Sequence, residues 1–75
     1  MDENELQDAL KTLLEEIAFL DEEDREHAGL DGASELADVK RVRTYGEEGV
    51  LTHDPGLVIT TADGSEFQLT IVRSR

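Results

Sequence analysis

Between Glu3 and Leu20 apolar side chains return every three or four positions: Leu6, Ala9, Leu10, Leu13, Leu14, Ile17 and Leu20. At about 100° per residue they fall within an arc of about 140°, the stripe of an amphipathic helix that buries one face. Asp2 and Glu5 give a D-x-x-E start, and acids in the first turn complement the helix N-terminus. No Gly or Pro occurs before Gly29. The spacing therefore predicts a helix over 3–20, with a continuation to 28 as the longer alternative, ended by Gly29 as a left-handed C′ residue. The stripe is lost in DEEDREHA, which favours fraying near Asp21.

The period changes further along. GLDGASELA (29–37) reads as a connector, with Ser34 able to start a short helical turn. DVKRVRTY (38–45) reads as a strand, but Val39, Val42 and Tyr45 are three apart, so it needs a bulge. A helix continuing from Ser34 is the competing assignment. Gly46–Gly49 reads as a turn and 50–53 as a short strand. Asp54-Pro55-Gly56-Leu57 fits a type II turn, with Pro at i+1 and Gly at i+2. Strands are predicted at 57–61 and 66–73, joined by the three-residue loop Ala62-Asp63-Gly64. That loop pairs Thr61 with Ser65, Ile59 with Phe67 and Leu57 with Leu69. It places Leu57, Ile59, Phe67, Leu69 and Ile71 on one face, and a one-residue slip would scramble the partition. The expected fold is α+β: one helix across a three- to four-stranded antiparallel sheet that ends in a β-hairpin.

Seventy-five residues allow one domain, 1–75, with a thin core. The charge is unevenly placed. Fourteen of the 19 acidic residues precede Val39, against only Lys11 and Arg25, so residues 1–38 carry the whole net charge of −12. Residues 39–75 hold five acids and five bases and are neutral. There is no Cys, so disulfides and thiolate chemistry are excluded. The acidic start MDENELQDAL lacks the features of a secretory signal, and no apolar run is long enough to cross a bilayer. Anionic membrane surfaces should repel the acidic half. The expectation is a cytoplasmic protein without membrane contact.

Chemistry is sparse. No metalloprotease, P-loop, nucleophile-elbow or EF-hand pattern occurs, and there are two histidines, His27 and His53. His53-Asp54 with Ser65 is the one arrangement that could suggest a base and a nucleophile; all three read more simply as turn residues. Adjacent acids in 21-DEED-24 point about 100° apart on a helix and do not converge on an ion. The expectation is no enzyme, no metal and no cofactor. Direct nucleic-acid binding is disfavoured, because phosphates require cations and Lys40, Arg41, Arg43, Arg73 and Arg75 stand against twelve net negative charges.

The acids themselves are the remaining feature. On the wheel of a helix running to 26, Glu5, Asp8, Glu15, Glu16, Glu22, Glu23 and Glu26 lie opposite the leucine stripe. They would form a carboxylate row about 30 Å long at a rise of about 1.5 Å per residue. Its spacing loosely matches that of phosphates along a DNA strand. The simplest account is a solvated face that favours solubility, as in the acid excess of halophilic proteins. Two readings favour a partner instead: the acids are not offset by lysines at i,i+4, and Phe19 lies among them like an interface anchor. If the helix bends near Leu20, Phe19 packs under the sheet.

By its length, its charge and the segment 21-DEEDRE-26, the chain resembles the small, acidic, cysteine-free inhibitors of phages and mobile elements, the DNA-mimic and anti-CRISPR proteins. That resemblance implies a protein that blocks a basic nucleic-acid-binding complex, such as a CRISPR effector in the host bacterial cytoplasm. The expected contact residues are Glu15, Glu16, Phe19, Glu22, Glu23, Asp24 and Glu26. The alternative is a small accessory or assembly module that binds a protein partner, or a second copy as a homodimer, through a sheet edge. An antitoxin-like regulator with an acidic arm is a third.

Overall fold

The computed structural model describes residues 1–29 and 31–75, and among these the side chains of all but 22 and 31–34. Helix α1 spans Glu3–Phe19, α2 Glu22–His27, and a 3₁₀ helix Asp31–Asp38 leads into strand β1, Val39–Thr44. A single helical turn, α3 (Tyr45–Glu48), follows; β2 is Gly56–Thr61 and β3 Glu66–Thr70. The sheet is antiparallel in the order β1-β2-β3. This is the α+β fold expected, with three strands.

The hairpin has the predicted register: Leu57 opposes Leu69 and Ile59 opposes Phe67, and the Thr61 amide donates to Ser65 O. Gly64 at φ +87° supplies the left-handed residue of the loop. Asp63 locks that loop by accepting from Thr61 Oγ1 at 2.7 Å and from the Ser65 amide at 3.0 Å. The bulge expected in the first strand lies between Val39 and Arg41. It restores a common face, and both Val39 and Val42 are buried with Leu57.

Helix α1 begins as expected, with the Asp2 side chain accepting from the Glu5 amide. Leu10, Leu14 and Ala18 pack on the Val39/Val42/Leu57 cluster. The helix lies mainly over β1, with lesser contact to β2. One helix about 10 Å wide covers roughly two strands spaced about 4.8 Å apart. The third strand is left uncovered. Leu57 is fully buried, yet Phe67 and Leu69, on the same face, are 57% and 42% exposed. The five-residue core face predicted from alternation is therefore a core only at its β2 end.

Four further expectations are corrected. Residues 50–53 form no strand, and Leu51 is fully exposed. Gly46–Gly49 is not a plain turn: Thr44 and Glu47 make a reciprocal capping box that nucleates α3, and Glu47 is held below the usual carboxylate range chiefly by its bond from the Thr44 amide. Asp54–Leu57 is not a type II turn, because Gly56 does not have positive φ and instead opens β2. The last strand is also shorter than 66–73, ending at Thr70 with one further ladder bond from the Ile71 amide to Pro55 O.

Gly56 is required for another reason. A side chain there would overlap both the ring of Tyr45 and the carbonyl of Leu69. Tyr45 is 4% exposed and its hydroxyl shares a 2.6 Å hydrogen bond with Thr70 Oγ1, so its ring bridges the end of β1 to β3 across Gly56. The Gly56 amide, left without a strand partner where β1 ends, donates to Oε1 of the buried Gln7 at 3.0 Å.

Candidate functional site

The predicted contact residues fall on two helices rather than one. Leu20 takes an extended conformation, and Asp21 starts α2 by accepting from the Asp24 amide at 2.7 Å. The D-x-x-D of 21–24 carries this cap signal within an otherwise acidic run. Gly29 does follow the helix end with φ +74°, but the helix it ends is α2. The continuous 30 Å carboxylate row is accordingly broken after Phe19.

Arg25 fixes the corner between the two helices. Its guanidinium is buried and donates to Leu20 O at 2.6 Å and to Ile17 O at 3.5 Å. Leu20 O is one of the carbonyls a helix C-terminus leaves without an intrahelical partner, Ile17 O also accepts from the Leu20 amide, and a cation there complements the helix dipole. Nothing in the residue pattern marked Arg25 for this role, because its partners are backbone atoms set by the corner itself.

The acids are unequal. Glu15 is half-buried and bound to Lys11 at 3.0 Å, so at this position an i,i+4 lysine does offset the charge. Glu16, Glu23, Asp24 and Glu26 are exposed; Glu23 lies 4.0 Å from His27. The Glu22 side chain lies outside the described residues. Phe19 does not tuck under the sheet at the bend: it is 69% exposed at the last position of α1. With Lys11 paired and Arg25 buried, the two cations of residues 1–38 are both engaged inside the acidic half.

The basic residues do not gather. Arg41 and Arg43 on β1 reach Glu48 at 3.7 and 3.8 Å, while Arg73, beyond β3, lies 3.9 Å from Glu3. The strand order sets these groups at opposite edges of the sheet. His53 and Asp54 are exposed before the start of β2, and Ser65 pairs with its far end, so these three do not converge. Among the described residues no group of three or more His, Asp or Glu side chains could hold a metal ion, and no helix is long and apolar enough to cross a membrane.

Among the described residues Asp63 has the most displaced carboxyl. Its bonds from Thr61 Oγ1 and from Ser65 lower its pKa from an ordinary 3.8 to about 2. A depressed folded value means that the contribution is complete above about 3.8 and is lost as pH falls through about 2. In an NMR titration the Asp63 carboxyl should remain ionised at pH 3, and the hairpin loop shifts should move only as pH approaches 2. A midpoint near 3.8 would show that the loop bonds do not hold in solution.

Comparison with family models, curated proteins and solved structures finds no match to this chain.

Proposed function

We propose that this chain is a non-enzymatic binding protein that uses its acidic corner to occupy a basic, nucleic-acid-binding surface on a protein partner. The observation that carries the reading is Phe19. A phenylalanine 69% exposed at the end of α1 is followed within seven residues by the exposed acids Glu23, Asp24 and Glu26, with Glu16 one turn before it. An aromatic group set among carboxylates suits a Lys/Arg-lined groove, where the ring supplies apolar contact and the acids supply encounter rate and selectivity. Blocking of a CRISPR effector, as the DNA-mimic resemblance implies, is one form of this function. The break after Phe19 argues for a compact anionic wedge rather than a long phosphate-like row.

A pull-down from bacterial lysate at low salt, eluted in parallel with short duplex DNA and with salt, tests it. The expected result is a nucleic-acid-binding complex released by both. Reversing Glu16, Glu23, Asp24 and Glu26 to Lys should weaken capture by about 100-fold or more, and Phe19→Ala by about 30-fold. Capture unchanged by the four reversals would sink the proposal. So would the absence of any partner combined with a melting temperature that climbs steeply in molar salt, which would make the acids a solvation feature.

A further inference from the structure

We infer that the free edge of β3 is a pairing surface for a second copy of this chain, joined antiparallel so that two three-stranded sheets become one of six. This rests on the sheet and is independent of the acidic corner. The two sheet edges are built differently. β1 carries Lys40, Arg41 and Arg43 and a bulge, the devices that keep an edge from pairing. β3, Glu-Phe-Gln-Leu-Thr, has no Lys, no Pro and no bulge.

The ladder shows what that edge offers. Thr61 with Ser65 and Pro55 with Ile71 are hydrogen-bonded, so the odd-numbered residues of β3 bond to β2. By antiparallel alternation the amides and carbonyls of Glu66, Gln68 and Thr70 point away from the sheet. Phe67 and Leu69 stand exposed beside that row on the helix-side face.

Charge selects the occupant. The β3 segment is acidic at its start, with Asp63 and Glu66, and basic after its end, with Arg73 and Arg75. Antiparallel self-pairing sets each copy's acidic end against the other's basic end. Residues 39–75 are neutral as a whole, and Glu3, which lies beside the end of this edge, is offset by Arg73 at 3.9 Å, so the edge meets its copy with less repulsion than the acidic half would impose. Stacking the helix layers face to face would instead bury the exposed Glu5 and Glu16 of α1 against one another. A two-fold axis normal to the sheet satisfies both conditions.

Sedimentation of the full chain from about 10 μM to about 1 mM should show a monomer–dimer equilibrium, a range that brackets modest affinities. Over the same range, amide exchange at Glu66, Gln68 and Thr70 should slow with concentration, while Phe67 and Leu69 amides, already bonded to β2, stay constant. Gln68→Pro removes an outward N–H and no bond of the existing ladder, and should weaken association at least 30-fold, about 2 kcal/mol. Should that variant fail to fold, Phe67→Lys, at an exposed site, decides in its place. A wild-type monomer throughout, or a dimer unchanged in these variants, would overturn the inference. Charge reversal at the acidic corner should leave the dimer intact, which separates this result from that of the proposed function.

Discussion

Alanine at position 56 is expected to lower stability by about 3 kcal/mol or more, in the upper range for overpacking a tight site. For a small domain that corresponds to a fall in Tm of at least about 12 °C. The new methyl group has no free space. One neighbour is the ring of Tyr45, which is buried and tied through its hydroxyl to Thr70; the other is the Leu69 carbonyl, part of the β2–β3 ladder. Relief requires moving the ring, which loosens the link between β1 and β3, or moving the strand, which loosens the hairpin. The bond from the Gly56 amide to Gln7 adds a third element that a shift would disturb. Gly46→Ala is the matched control. A methyl there meets only Thr44 Oγ1, at 3.9 Å, and sits within a helical turn where Ala is preferred. Thermal melts of the two variants should diverge sharply. Equal, small effects would mean that the Tyr45 ring does not lie over Gly56.

The second large effect is at Leu57. It is fully buried, and truncation to Ala should cost about 3–4 kcal/mol, as for other leucines that leave a cavity in a packed core. A 75-residue domain is stabilised by something like 4–11 kcal/mol in total, so the variant should be close to unfolding at 37 °C. Its cross-strand partner Leu69 shares the same face but is 42% exposed, and Leu69→Ala should cost under about 1 kcal/mol in dilute solution. Urea titrations at low concentration measure the difference directly. Comparable losses at both positions would place α1 over the whole sheet and remove the uncovered β3 face.

The same pair shows where sequence pattern stops being informative. Alternation and turn chemistry are local, so the register of Leu57 on Leu69 and of Ile59 on Phe67 could be read before any tertiary contact was known. The bulge was legible for a related reason: Val39 and Val42 cannot share a face without one. Which strands the helix covers is a different kind of fact. It depends on the position of α1 across the sheet, and no residue spacing records that. Gly56 misled because Asp-Pro-Gly-Leu satisfies a turn rule locally while its true constraint comes from Tyr45, eleven positions earlier. The Thr44–Glu47 box and the Asp21 cap are present as T-x-x-E and D-x-x-D, but the first overlaps a β-branched run that favours a strand and the second is masked by the acids around it. At the candidate site the carboxylates were legible as composition, whereas the exposure of Phe19 was not. The bend that was expected to hide it leaves it in solvent.

The way Arg25 is held has a consequence for proteolysis. Trypsin-type enzymes require an accessible arginine or lysine on an extended segment. Between Lys11 and Lys40 the chain has one such residue, and its guanidinium is folded against the end of α1. A cut after Arg25 therefore requires the α1–α2 corner to open first, while the sheet can stay closed. The appearance of that cleavage product is a clock for this local opening, separate from the global unfolding followed by heat or urea.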